Sequence, residues 1–151
     1  MCGIIGIASN KSVSSNIIKS LKKLEYRGYD SAGIATILKG EINEKKCTGR
    51  VDSLEKILFK NPSLGILGIG HVRWATHGAT SNVNAHPHSS EEVSVVHNGI
   101  IENSTILKKD LEKKGYQFKS QTDTEVITVL LTDFLKDFDL IEAINKTLEK
   151  L

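Results

Sequence analysis

The chain contains 151 residues, of which 39% are hydrophobic and 25% are charged, and this balance is typical of a globular domain with its own core. Its formal net charge of +2 is too small to favour nucleic acid or an anionic membrane surface as a partner. No apolar run reaches the ~18 residues of a membrane span, and no secretory signal precedes the first predicted strand. We therefore expect a cytoplasmic protein that binds neither nucleic acid nor membrane.

Hydrophobic periodicity predicts short strands and helices along the whole chain. A buried strand over 3–8 is followed by a helix over 13–24, for which the serines within 12–15 are N-cap candidates. The next helix is predicted to be capped by Asp52 or Ser53 and to end at Asn61. Further strands are predicted over 32–38, 41–47 and 64–72, and further helices over 104–114, 124–136 and 140–151.

Four segments carry turn or loop signals. Residues 26–31 interrupt the helical period, and residues 75–91 form a long polar loop of the kind that is usually functional or disordered. Asn98-Gly99 is a strong signal for a hairpin turn, flanked by strands predicted over 93–97 and 100–101. Residues 122–125 fit a capping box that opens the helix over 124–136.

The start of the chain holds the residue with the clearest catalytic potential. A small second residue normally permits removal of Met1, which would leave Cys2 with a free α-amine beside its thiol. An α-amine titrates near ~8 and a thiol near ~8.5, so a nucleophile and its base would share one residue. The alternative is that Cys2 only begins a buried strand. A disulfide with Cys47 is weakly supported, because a single pair does not indicate a disulfide scaffold.

Other polar residues have both a functional and a structural interpretation. Arg73 ends a predicted strand, where a guanidinium could grip a carboxylate or form a surface ion pair. Asp123 could hold an ammonium group or cap a helix. Asn98 could donate its amide, together with the Gly99 N–H, to an oxyanion, although a plain turn is the commoner explanation.

The five histidines raise the question of a metal site. None of them forms the His-x-x-x-His pair of a helical zinc site, and no Cys-x-x-Cys motif accompanies them. The alternation His86-Pro87-His88 is weak support for metal binding. We expect neither a metal nor another cofactor.

Five segments together resemble a known family. They are 2–6 (CGIIG), 24–33 (LEYRGYDSAG), 71–78 (HVRWATHG), 97–99 (HNG) and 122–125 (TDTE), and they occur in the family's order. The chain is similar to the N-terminal glutaminase domain of glucosamine-6-phosphate synthases, the glutamine–fructose-6-phosphate aminotransferases. These are class II glutamine amidotransferases with the N-terminal-nucleophile hydrolase fold. Amidophosphoribosyltransferases share some of these motifs and are the second candidate.

The resemblance implies catalytic roles for the first residues and for the 97–99 segment. After loss of Met1, the Cys2 thiol would attack the carboxamide of glutamine with its own amine as base. Asn98 and the Gly99 N–H would stabilise the oxyanion. Arg27 lies in a motif that packs near the active site, so its implied role is supporting.

The same resemblance implies a set of residues that bind glutamine. Arg73 would hold the α-carboxylate, assisted by Thr76 and His77. Asp123 would accept the α-ammonium, and Gly99 also belongs to the binding set. Trp74 and the loop after it are similar to a lid that closes over the substrate.

The family's fold is a four-layer α/β/β/α sandwich with two antiparallel sheets. We expect residues 1–151 to be a truncated glutaminase domain, incomplete at the C-terminus and without the sugar-isomerase domains that bind fructose 6-phosphate in a homo-oligomeric full-length enzyme. An exposed sheet edge would then lower stability or favour pairing with another segment. The alternative function is a catalytically silent remnant that only binds glutamine or a partner chain, and retention of Met1 would favour it.

Overall fold

A computed structural model describes residues 2–75 and 78–151 of the chain. Within these ranges the chain forms six β-strands and five α-helices, and a 3-10 turn over Glu25–Arg27. The strands are β1 (Gly3–Ala8), β2 (Ser31–Leu38), β3 (Glu41–Thr48), β4 (Leu67–Arg73), β5 (His88–Ser89) and β6 (Ser94–Val95). The helices are α1 (Ser14–Leu24), α2 (Val51–Lys60), α3 (Ser104–Lys113), α4 (Thr124–Phe134) and α5 (Leu140–Lys150).

The main sheet is antiparallel and has the strand order β1-β4-β2-β3. β2 and β3 are joined by the predicted turn, in which Lys39 (φ 53°) and Gly40 (φ 85°) both adopt positive φ, as a tight hairpin requires. β4 lies between β1 and β2, and its register places Val72 opposite both Gly3 and Ala32. The ends of three strands therefore meet at Arg73.

One face of this sheet packs against α1 and α2. Because side chains alternate along a strand, Val72 points to the helices and joins a core with Ile34 of β2, Leu21 of α1 and Leu54 of α2. The flanking residues His71 and Arg73 therefore point to the opposite face. Burial of these aliphatic side chains is the main force that holds the two layers together.

On the opposite face, His71 of β4 stacks on His86, and the Ser89 hydroxyl of β5 donates to the Glu44 carboxylate of β3. The two-stranded β5-β6 sheet packs in turn against α4. A second core of Leu111, Val126 and Leu130 joins α3 to α4, and α5 also contacts α4. The layers thus follow the predicted α/β/β/α order, with two strands in the second sheet of the described chain. No helix of the described ranges is long and apolar enough to cross a membrane.

The helix-capping predictions are wrong in three places. α1 begins after Val13, and the serines 12 and 14 instead donate to the carbonyl of Ser63. α2 begins at Val51, whose N–H donates to the Glu25 carboxylate at 2.8 Å, so the cap comes from another element. The third wrong prediction is the capping box at 122–125. Sequence spacing identifies local caps and cannot detect a partner that is distant along the chain.

The capping box predicted at 122–125 does not form. α4 has Asp123 as its N-cap residue without a side-chain capping bond, and the Glu125 carboxylate accepts the N–H groups of Lys119 (2.9 Å) and Ser120 (2.7 Å). The Asp123 carboxylate is therefore directed elsewhere.

The hairpin predicted at Asn98-Gly99 is also wrong. The paired strands are β5 and β6, and the turn between them is closed by the Ser90 N–H donating to Val93 O at 2.9 Å. Neither Asn98 nor Gly99 adopts the positive φ of a two-residue hairpin turn. The segment after β6 is irregular, which leaves its polar groups available for another role.

Candidate active site

Strand register places Cys2 at the end of the main sheet. Gly3 pairs with Val72, so continuation of the ladder by one residue sets Cys2 beside Arg73. The Cys2 thiol lies against the backbone of Trp74, whose N–H donates to Sγ at 3.3 Å and whose carbonyl oxygen is 3.7 Å from Sγ.

The 3-10 turn and the loop after it support this arrangement. Arg27 Nε donates to the Cys2 carbonyl at 3.1 Å, so the supporting guanidinium holds the backbone of Cys2. The loop then runs against the end of β4, where the Asp30 N–H donates to Arg73 O at 3.2 Å and the Asp30 carboxylate accepts the Ala75 N–H. These bonds fix the backbone on which Trp74 is carried.

A cavity of about 400 Å³ opens at this end of the sheet. Arg73 lies on its wall with 3% of its surface exposed, and its Nη2 donates to Gly78 O at 3.4 Å. The cavity brings together residues from six separate parts of the chain, namely Cys2, Arg27, Arg73, Trp74, His86, His97, Asn98, Gly99, Ile100, Thr122, Asp123 and Thr124. Seven of the predicted site residues are in this set.

Asp123 joins two walls of the cavity. Its Oδ2 accepts the N–H of Ile101 at 2.7 Å, so the start of α4 holds the irregular segment that contains Asn98 and Gly99. This bond replaces the helix cap that the sequence suggested. One carboxylate therefore fixes a loop and also carries a negative charge at the cavity wall.

The side chain of Asn98 is held by a buried histidine. Asn98 Oδ1 lies 3.0 Å from Nε2 of His71, which is on the same face of β4 as Arg73. His71 stacks on His86 with ring centroids 4.3 Å apart, and His88 meets His86 edge-to-face at 4.7 Å. His71, His86 and His88 thus form a layer of imidazole rings, here called the histidine layer, and His86 lines the cavity.

These histidines are hydrogen-bonded to threonines of the α4 region. His86 Nε2 and His97 Nδ1 lie 2.9 and 3.2 Å from the same hydroxyl, that of Thr124. His88 Nε2 lies 2.8 Å from Thr122 Oγ1.

The histidine layer is kept neutral by its environment. Burial, the largest cause in each case, lowers the pKa of His71 and of His88 to about 4 and lowers that of His86 further. The positive charge of Arg73 also lowers the pKa of all three rings. Within the described ranges, no group of three or more acidic, cysteine or histidine side chains could hold a metal ion.

Three residues of the sequence-based interpretation, Met1, Thr76 and His77, lie outside the described ranges. Trp74 is 45% exposed and packs edge-to-face on Tyr29, with ring centroids 5.2 Å apart. Cys47 is a free, buried thiol, and burial raises its pKa. The two cysteines are therefore not paired, and the thiol of Cys2 is the more accessible of the two.

The layer order and the position of Cys2 define a class of proteins, the N-terminal-nucleophile amidotransferases, and solved structures support this assignment. The Bacillus subtilis glutamine phosphoribosylpyrophosphate amidotransferase complexed with ADP and GMP superposes with a TM-score of 0.83 at 27% identity, over 99% of this chain and 32% of that one. A structure described as the allosteric regulatory enzyme of purine biosynthesis gives a TM-score of 0.82, also at 27% identity, over 99% and 33%.

The chain belongs to the glutamine amidotransferase domain family, whose sequence profile matches residues 71–151. Glutamine–fructose-6-phosphate aminotransferase (isomerizing) of Clostridium acetobutylicum is 53% identical over 153 residues. The protein of the same name from Mesorhizobium japonicum is 49% identical over 152 residues. Each alignment covers 100% of this chain and 25% of the relative, so the chain spans about a quarter of the length of these relatives.

Sequence reasoning did not identify the histidine layer or its threonine partners. The signal for His71 was present, because it lies two residues before Arg73 in a predicted strand and so shares its face. His97 directly precedes Asn98. The contacts of His86 and Thr124 join segments 38 residues apart, and no local pattern indicates such a pair.

Proposed function

We propose that the chain hydrolyses glutamine to glutamate and ammonia. The observation that carries this proposal is the composition of one cavity wall, where a thiol (Cys2), a guanidinium (Arg73), a carboxylate (Asp123) and a primary amide (Asn98) meet. An amino acid with a side-chain carboxamide offers the complementary groups, namely a carboxylate, an ammonium and an electrophilic carbonyl carbon. No single residue of the four would specify that ligand.

Recognition of the amino-acid end rests on the two charged residues. Arg73 pairs with the α-carboxylate, because a guanidinium offers two parallel N–H donors to a carboxylate. Asp123 pairs with the α-ammonium. Thr76 and His77 complete the carboxylate site, and Trp74 closes over the bound substrate. This arrangement directs the carboxamide towards Cys2.

The chemistry at the carboxamide uses Cys2 as both nucleophile and base. After removal of Met1, the α-amine accepts the thiol proton, and the thiolate forms a bond to the carboxamide carbon. The displaced electron pair resides on the oxygen, which accepts hydrogen bonds from the Asn98 amide and the Gly99 N–H. The α-ammonium transfers its proton to the carboxamide nitrogen, and collapse of the intermediate breaks the carbon–nitrogen bond and releases ammonia. Water then hydrolyses the γ-glutamyl thioester and regenerates the thiol.

We further propose that the ammonia serves glucosamine 6-phosphate synthesis from fructose 6-phosphate in a longer, homo-oligomeric enzyme. Identity of 49–53% to proteins named for that reaction supports this proposal over a phosphoribosyl acceptor, for which the identity is 27%. The sugar phosphate would bind to segments beyond residues 1–151. A reducing cytoplasm would keep Cys2 as a thiol.

The proposal is tested by the mass of the intact chain before and after exposure to an electrophilic glutamine analogue, with glutamate release measured in parallel. We expect a starting mass that lacks Met1, one adduct located on Cys2, and turnover of glutamine. Cys47→Ser should be labelled and active like the wild type, whereas Cys2→Ala should be unlabelled and inactive.

A different result would favour the silent remnant. If Met1 is retained, no α-amine is available to Cys2 as a base. If Cys2 is processed yet neither labelled nor active, the cavity does not bind glutamine in a reactive position. Either outcome would overturn the glutaminase proposal.

A further inference from the structure

An asparagine that stabilises an oxyanion must present the correct end of its side chain. The amide has an NH2 end that donates hydrogen bonds and an oxygen end that only accepts them. If the oxygen end faced the developing negative charge, it would repel that charge. The orientation of Asn98 is therefore a requirement of the proposed reaction.

His71 is placed to set this orientation. Its Nε2 lies 3.0 Å from Asn98 Oδ1, and the ring is 1% exposed. The interaction engages the oxygen of the amide in the sheet layer and leaves the NH2 end for the cavity, which Asn98 lines. Because the oxygen cannot donate, the proton must be on Nε2 of His71.

The ring of His71 is itself held on several sides. It is carried by the central strand β4, two residues before Arg73, and stacks on His86 at 4.3 Å with an interplanar angle of 19°. His86 is bonded to the Thr124 hydroxyl, which also bonds His97, the residue before Asn98. The histidine and the loop it orients are thus fixed to one another by two routes.

We propose that His71 is a positioning residue, which holds the Asn98 amide with its NH2 group directed at the oxyanion through an Nε2–H tautomer. This role rests on the proposed glutaminase function. His71 touches no reacting atom and acts through Asn98. Burial, which keeps the ring neutral with a pKa of about 4, is consistent with a single fixed tautomer at neutral pH.

The first test is spectroscopic and needs no turnover. A long-range ¹H–¹⁵N correlation spectrum of the full chain at pH 7 assigns the tautomer of each histidine ring. We expect His71 to be in the Nε2–H form. An Nδ1–H ring would require Asn98 to turn its NH2 towards Nε2, and would overturn the proposal whether or not the chain is active.

The second test is kinetic and uses paired substitutions. His71→Leu removes the donor and keeps a buried side chain of similar size, so kcat for glutamine hydrolysis should fall about 10- to 100-fold, while KM is unchanged. His71→Gln supplies an amide N–H near the position of Nε2 and should recover most of that loss. In an Asn98→Ala background, His71→Leu should cost little more, because the residue that it orients is already gone.

His88→Leu is the matched control, since His88 is a 4% exposed ring of the same layer that bonds Thr122 rather than Asn98. A purely structural role would give similar losses of kcat for the two leucine variants and additive losses with Asn98→Ala, and either result would overturn the proposal. An inactive wild-type chain would instead overturn the glutaminase function. The two failures are therefore distinguishable.

Discussion

The carboxylate of Asp123 has two tasks that can be separated by mutation. Oδ2 accepts the Ile101 N–H at 2.7 Å and so holds the loop that carries Asn98. The negative charge is proposed to bind the α-ammonium of glutamine. An asparagine keeps an oxygen acceptor for the loop and removes only the charge.

We therefore expect Asp123→Asn to raise KM for glutamine by about 10-fold or more, because the ion pair between carboxylate and ammonium becomes a weaker hydrogen bond from the ammonium to an uncharged oxygen. Thermal unfolding should change little. Kinetics with glutaramate, which is glutamine without its α-amino group, provides the control, since this substrate should show no penalty. An equal penalty on both substrates would contradict the role in ammonium binding.

Asp123→Ala extends this comparison, because it removes the loop contact as well as the charge. The Ile101 N–H then loses its partner, and stability should fall by about 1–3 kcal/mol in addition to the kinetic loss. Urea unfolding of the alanine and asparagine variants measures the difference. Equal stabilities of the two variants would mean that the 2.7 Å bond does not hold the loop.

Among the structural elements, the 3-10 turn and the loop after it approach the end of β4 very closely. A Cβ atom on Gly28 would lie 2.6 Å from the Arg73 carbonyl carbon and 2.8 Å from Trp74 N, both of them backbone atoms. The φ of Gly28 is −178°, which any residue can adopt. Position 28 therefore requires glycine because there is no room for a Cβ atom, and not because of its backbone conformation.

Gly28→Ala should destabilise the chain by about 1–3 kcal/mol and lower the reactivity of Cys2, because the Arg73-Trp74 backbone must move to admit the methyl group. Urea unfolding and the rate of Cys2 labelling measure the two effects. Gly6→Ala is the matched control, since its Cβ would meet only Ile69 Cγ2 at 3.9 Å. Equal effects of the two substitutions would contradict the close approach.

The sequence predicted most regular elements because their causes are local. The periodicity of apolar residues located β1 at Gly3–Ala8 and α5 from Leu140 onward, and both are confirmed. The strand β5 was missed, because a two-residue strand carries no periodic signal, and the strand predicted over 93–97 is reduced to the two residues of β6. The capping box failed for another reason, since Glu125 bonds Lys119 and Ser120 in preference to its own helix start.

The site was predictable to a similar extent. The residues of the cavity wall came from motif resemblance, and the register of β1 on β4 accounts for the proximity of Cys2 to Arg73. The bond from Asp123 to Ile101 was not predictable, because it depends on how an irregular segment folds against α4. Long-range polar contacts of this kind have no signature in the spacing of residues.

For the molecule as a whole, the neutral histidine layer links stability to pH. The pKa of His71 and of His88 is about 4 in the folded chain and near ~6.5 when unfolded. Between these values the unfolded chain binds protons that the folded chain does not, so the free energy of unfolding falls as the pH falls. The stabilisation is fully present above about pH 6.5.

We expect each of these two histidines to contribute a slope of up to about 1.4 kcal/mol per pH unit between pH 6.5 and 4. Urea unfolding at intervals of pH across this window measures the combined slope. His88→Gln should remove the contribution of one ring and make the curve shallower. A flat curve between pH 6.5 and 4.5 would contradict a neutral buried layer. Exposed carboxylates such as Asp52 do not obscure this slope, because the hydrogen bond from Lys22 lowers the pKa of Asp52 from 3.8 and so keeps its titration below this window.

The position of β4 between β1 and β2 restricts how this chain can change its length. Arg73 lines the cavity and His71 contacts Asn98 because side chains two residues apart in a strand lie on the same face of the sheet. Inserting one residue into β4 would turn both towards α1 and bring Val72 to the cavity, so the imidazole, the guanidinium and their partners would be lost together. The Lys39-Gly40 turn is far from these side chains in the ladder, and insertions there would leave the cavity intact. Variation in length among natural relatives should therefore be found in such turns and be absent from residues 67–73.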